Sequence, residues 1–146
     1  MIQVRPENPA KTYLKRYRAL LRRRESLLRA IAEAYDRATS ITARLKEVSV
    51  SGGGPGDRMA EDMAKAMDCT RQLDDMAAQI ERTLAEILTA IDAVPDETQK
   101  TVLTMRYIEG AAWPDISEAI HYERTQTLVI HGRGLWSVKR WMEGKE

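Results

Sequence analysis

The sequence predicts an all-α protein: a long antiparallel, coiled-coil-like helical hairpin followed by a small domain of three short helices. Three observations predict it. Apolar residues recur in steps of three and four along two long stretches, the period of one helix face and not of a strand. A single Gly- and Pro-rich segment, 51–57, separates those stretches. After residue 94, Pro and Gly fall at the spacing of short helices and tight turns.

The first stretch, residues 10 to about 48, contains no Gly or Pro. Leu14, Tyr17, Leu21, Leu28, Ile31, Tyr35, Ala38 and Leu45 form one stripe, and Leu20, Leu27, Ala34, Ile41 and Val48 form a second beside it. Together they give a wide apolar face on a helix ~55–60 Å long at ~1.5 Å per residue. The segment SerGlyGlyGlyProGlyAsp, residues 51–57, cannot continue that helix and reads as a loop. A phosphate-binding P-loop needs Lys and then Ser or Thr after its last Gly, whereas Asp57 and Arg58 follow here. Asp57 reads as the N-cap of the next helix, with Glu61 and Asp62 favoured by its dipole.

Residues 58–94 carry the cleanest periodicity. Met59, Met63, Ala66, Thr70, Leu73, Ala77, Ile80, Leu84, Ile87, Ile91 and Val94 follow steps of four and three without a break, a heptad seam. Two such helices joined by a short loop make an antiparallel hairpin, here residues 1–94. Met67, Met76 and Leu88 lie beside the seam as spare apolar surface. They pack either against the C-terminal domain or, in a homodimer, into a four-helix bundle, and the dimer is the expectation carried forward.

Composition narrows the function. The chain has 146 residues, 31% of them charged, with 23 basic and 22 acidic side chains, 5% aromatics and no Phe. This disfavours a large β-sandwich and a uniformly basic nucleic-acid coat. One cysteine, Cys69, excludes an internal disulfide and fits a reducing compartment. No apolar run reaches the ~20 residues that span a bilayer, and the start MIQVRPENPAK lacks a signal-peptide core. The expectation is a soluble, cytoplasmic protein with no membrane partner. The charge is sorted along the chain: residues 1–24 hold eight Lys/Arg and one Glu, and residues 57–97 hold eleven Asp/Glu and four Lys/Arg. Two readings stand, helix faces that attract when paired or a basic end that meets phosphate.

Pro95 ends the second helix and Asp96 caps a third, with Gln99 at its third position in a variant of the capping box. That helix runs to about Glu109, where Gly110 stops it. Pro114 opens a short fourth helix to Ile120, His121-Tyr122 form a turn, and a last helix runs from about 123 to 142. Two helices joined by a tight turn describe a helix-turn-helix, here within a domain of residues 95–146. Ile116, Ala119 and Ile120 should face inward, with Ala119 small at the helix crossing. Thr127, Ile130, His131, Gly134, Leu135 and Val138 share one face of the last helix. Trp113 reads as a core anchor, and Trp136 and Trp141 as covers of the last helix against the hairpin.

The stretch LeuThrMetArgTyrIleGluGlyAlaAlaTrpProAspIleSerGluAlaIleHisTyr, residues 103–122, resembles sigma-factor region 4. IleHisGlyArgGlyLeu, residues 130–135, resembles the histidine-x-arginine-alanine-leucine ending of those domains. AlaThrSerIleThr, residues 38–42, with the Gly-rich loop and acidic helix behind it, resembles small phage proteins of the ArpU/RinA late-gene regulator type. The sequence departs from the region-4 pattern at His121, where Gly is usual, and at Thr127, usually apolar. It departs again at Leu128 and Val129, often polar, and at Gly132 and Gly134 inside the last helix. The resemblance implies a sigma region-4-like helix-turn-helix domain whose last helix binds double-stranded DNA sequence-specifically in the major groove. It further implies transcription regulation in a phage or prophage and contact with host RNA polymerase. Nothing in residues 1–94 resembles promoter-melting parts, so an independent sigma factor is not expected.

On that reading Arg124, Thr125, Gln126, Leu128 and Val129 face the bases: Arg pairs with guanine, Gln with adenine, and apolar side chains meet thymine methyls. Arg133, Lys139 and Arg140 are candidates for phosphate contact. The plain alternative for each is solvated helix surface. His121, His131 and Cys69 are too scattered for a metal site, no nucleophile–base set appears, and neither a cofactor nor an enzyme is expected. Two function classes remain: a DNA-binding regulator, and a packaging or assembly protein such as a terminase small subunit. A further alternative is a helix-turn-helix module used for protein interaction.

Overall fold

The computed structural model describes the backbone of residues 7–47 and 54–145 and the side chains of 7–40 and 56–145; Ile41, Thr42, Leu45, Val48 and residues 51–53 of the expected loop lie outside the described side chains. The fold is all-helical, as the periodicity predicts. Five helices follow in order, α1 (Pro9–Glu47), α2 (Gly54–Asp92), α3 (Glu97–Tyr107), α4 (Trp113–Ile120) and α5 (Arg124–Gly144). The two long helices pack against each other, and no strand occurs among the described residues.

Local chemistry sets the helix starts. Asn8 caps α1: its side-chain Oδ1 accepts from the Ala10 N–H at 2.9 Å, and Pro9 takes the first helical position, where a missing N–H costs nothing. Contrary to the loop expected over 51–57, α2 begins at Gly54. Pro55 is again tolerated because it falls in the first turn. Asp57 therefore lies inside that turn and is not the N-cap, where its charge still complements the helix dipole.

Two compact units divide the chain, one of residues up to Ala19 together with those from Ile80 onward, the other Leu20–Gln79. In the first, Ala10 and Leu14 of α1, Ile87, Ala90 and Ile91 of α2, Val94 between α2 and α3, Leu103 and Tyr107 of α3, and Leu135 and Val138 of α5 form one buried cluster. Each large side chain buried there contributes ~1.5–3 kcal/mol. The Arg16 guanidinium donates to Glu86 at 2.8 Å across α1 and α2. Both groups are exposed, so this pair adds only ~0–1 kcal/mol. In the second unit Ala34, Ala38, Ala66 and Met76 are buried, and Arg37 meets the buried Asp62 at 3.3 Å.

The face that α2 buries is shifted from the expected seam. Asp62, Ala66, Met76, Thr83, Ile87, Ala90 and Val94 are buried and Cys69, Leu73 and Ile80 half-buried, an unbroken series of fours and threes. Every second member matches the expectation, and the others stand one residue earlier. Thr70 and Ala77 are exposed, Met63 and Leu84 only half-buried, and Ile91 is buried beside Ala90 as expected. The buried face is not simply the more apolar one: Asp62 is buried with Arg37 of α1 at 3.3 Å, and Thr83 is buried beside the half-buried Leu84. On α1, Leu14, Ala34 and Ala38 are buried as expected, whereas Leu28 and Tyr35, also expected in the stripe, are 49% and 51% exposed. Met76, expected as spare surface, belongs to the core, while Met67 and Leu88 are exposed as expected.

Candidate nucleic-acid interface

The last three helices are placed by short polar devices. Asp96 caps α3 by accepting the Gln99 N–H at 2.8 Å. The helix ends at Tyr107, two residues before the expected Glu109. The Ile108 and Glu109 N–H groups both turn back to the Thr104 carbonyl, and Ala111 N–H reaches Met105 O at 2.8 Å. Gly110 sits at φ 72°, which a side chain would strain, with the Arg18 guanidinium packed on it. Pro114 lies in the first turn of α4, as its sequence position indicates.

Between α4 and α5 the chain turns in three residues, and His121 adopts φ 60°, ψ 41°, the left-handed conformation that Gly usually supplies. A relay of hydroxyls holds the turn: Ser117 Oγ donates to Thr127 Oγ1 at 2.9 Å, and Thr127 Oγ1 donates to Glu123 O at 2.9 Å. This explains a polar residue at a position that is fully buried. Val102, Ile116 and Ile130 form the apolar contact beneath, with Ile120 at its edge. Ala119, expected at the crossing, is exposed. The contact falls one turn nearer the start of α4, where Ile116 and Ser117 meet α5.

The inward face of α5 is Thr127, Ile130, His131, Gly134, Leu135 and Val138, all buried as expected. A Cβ on Gly134 would stand 3.2 Å from Leu103 Cδ1, so glycine allows α3 and α5 to close. His131 Nε2 and the Tyr107 hydroxyl share a 2.7 Å hydrogen bond, and the Trp113 ring meets the imidazole edge-on with centroids 4.7 Å apart. Burial, with the Lys11 and Arg106 charges adding, lowers the His131 pKa to about 4. Burial also raises the Tyr107 hydroxyl to about 12. Both groups are therefore neutral at physiological pH. Trp113 anchors this cluster, with Arg106 over its ring at 4.5 Å and donating to Ala111 O at 3.0 Å.

Arg124, Thr125, Gln126, Leu128 and Val129 all lie exposed on the first turns of α5, Leu128 and Val129 each at 41%. Arg133 and Arg140 are exposed further along, and Lys139 is half-buried. Trp141 covers α5 as expected, its ring 6.4 Å from Tyr13. Trp136 does not: it is 56% exposed, with the Arg140 guanidinium 4.7 Å from its ring centroid. Its spacing of seven from the exposed Val129 was the available signal, since seven residues return to the same helix face. No protein-family model matches this chain, and no curated protein or solved structure matches it.

Proposed function

We propose that this chain is a sequence-specific, double-stranded-DNA-binding regulator of transcription, of the phage or prophage late-gene type implied by its resemblance to region 4. Helix α5 acts as the recognition helix in the major groove. The observation that carries this reading is the exposure, together on the first turns of α5, of Arg124, Thr125, Gln126, Leu128 and Val129. They combine two side chains capable of bidentate base contacts, Arg124 donating twice and Gln126 donating and accepting, with apolar groups suited to thymine methyls. Arg133, Lys139 and Arg140 supply phosphate contacts, and host RNA polymerase is the further partner. Exposed Leu28, Tyr35 and Met67 provide the apolar surface for a second copy, which would set two recognition helices on half-sites ~34 Å apart.

Selection from a random duplex pool tests the reading. A two-fold symmetric motif should be enriched, and a reporter carrying it should respond to the protein in the presence of host polymerase. Failure to enrich any motif would refute sequence-specific regulation and favour the packaging or protein-interaction alternative. A footprint on one half-site, from a chain that sediments as a monomer, would remove the dimer alone.

A further inference from the structure

Two glycines lie inside α5, and each costs a helix ~1 kcal/mol relative to Ala. Gly134 has an internal reason in its contact with Leu103. Gly132 has none, because a Cβ there would meet nothing within 4 Å. It lies on the exposed side of α5 in a shallow concavity whose other lining residues are Gln99, Val129, Arg133, Trp136 and Ser137. Val129 and Trp136 rise before and after it along the helix. The Arg140 guanidinium stacks on Trp136 at 4.7 Å. The lining contains a cation and no carboxylate. Neither Arg133 nor Arg140 forms an ion pair among the described residues.

We infer that this notch seats the sugar–phosphate backbone of one DNA strand. The strand passes over Gly132, where no side chain holds it away from the helix, and the Arg133 and Arg140 guanidiniums and the Trp136 indole N–H donate to its phosphates. The inference rests on the DNA-binding reading above and adds its sequence-independent half. The spacing agrees: at ~1.5 Å per residue, Gly132 to Trp136 lie roughly 8–14 Å along the axis from the middle of the base-facing set. That is beyond the half-width of a ~12 Å major groove, where a strand's backbone stands. Charge complementarity selects the occupant, because a phosphate chain supplies the anions that the two unpaired guanidiniums lack.

The test titrates the full-length chain against a mixed-sequence duplex over a salt series. Gly132→Leu should keep or raise the thermal midpoint, since its Cβ has open space, yet weaken binding about tenfold or more as it blocks phosphate contact. Gly132→Ala, adding one methyl, should fall between. Arg133→Ala and Arg140→Ala should each reduce the slope of log K against log salt by about 0.9. Gly132→Leu with wild-type affinity and both slopes unchanged would overturn the notch and leave base reading by the first turns of α5 standing. A Gly132→Leu chain that keeps its DNA affinity but loses reporter output would also overturn it, assigning the notch to a protein partner. A wild-type chain with no duplex affinity at any salt would overturn the notch and the DNA reading together.

Discussion

Acidification should destabilise the compact unit that contains α3 to α5, through one imidazole. His131 is only 8% exposed, its Nε2 bonded to Tyr107 at 2.7 Å and its edge against Trp113. Its folded pKa of about 4 lies below the ordinary 6.5. Between those values the unfolded chain carries a proton that the folded chain excludes. Stability is therefore fully present above the unfolded value and is lost as pH falls toward the folded one, at up to ~1.4 kcal/mol per pH unit. Going from about pH 7 to about pH 5, the loss from this group is about 2 kcal/mol. The assay is reversible urea unfolding followed by far-ultraviolet circular dichroism, on wild type and His131→Gln. Glutamine cannot titrate, yet keeps a polar end for the Tyr107 hydroxyl. Glu7, whose carboxyl is held below its usual range chiefly by the Lys15 hydrogen bond, titrates in both proteins and cancels in the difference. Wild type should lose about 2 kcal/mol more than the variant over this interval. Parallel pH profiles for the two proteins would refute the reasoning.

Other substitutions test packing, the turn and recognition. Ile87→Ala, at a fully buried position, should cost ~2–5 kcal/mol in urea unfolding, and a loss under ~1 kcal/mol would mean α2 does not bury that face. Thr127→Val keeps the volume but strips Ser117 of its acceptor, and should lower stability by ~1–2 kcal/mol, with no further loss when Ser117→Ala is added. Arg124→Ala and Gln126→Ala should each lose ~1–3 kcal/mol of discrimination at one or two base pairs, read by competition between the selected duplex and single-base variants. Uniform weakening on all sequences would place those side chains on phosphate instead.

Much of the fold was legible because helix punctuation is local chemistry. Asp96, Pro114 and the His121 turn act within a few residues of where they stand, so their positions follow from sequence alone. The seam of α2 was legible only in part. Hydropathy ranks Met63 above Asp62 and Leu84 above Thr83, yet α2 buries the polar residue of each pair. Asp62 is held there by Arg37 of the partner helix, a contact that the periodicity of one helix does not encode. The exposed set on the first turns of α5 was legible from period alone, since its complement, Thr127 to Val138, is an apolar-to-small face with regular spacing. The exposure of Trp136 was not, because its size argues for burial and only its place on the helix argues against.

His121 and Thr127 are the two departures from the region-4 pattern that the structure makes intelligible together. A left-handed non-glycine residue costs of order 1 kcal/mol, and the buried hydroxyl of Thr127 would cost more if left unbonded. Neither persists without a compensating interaction. The Ser117–Thr127–Glu123 relay supplies one, because it ties α4 to the first turn of α5 across the strained residue. Beneath it, Ile116 and Ile130 close the apolar contact, and Gly134 lets α5 settle on Leu103. Arg124, Thr125, Gln126, Leu128 and Val129, the base-facing set of the proposed function, therefore stand on a helix start fixed from two sides, by hydroxyls and by packing. A recognition surface needs that rigidity: bidentate contacts discriminate between bases only when the side chains are presented in register. The strain at His121 is then part of how α5 is aimed, and it is sustained by a polar core contact that an apolar residue at 127 could not make.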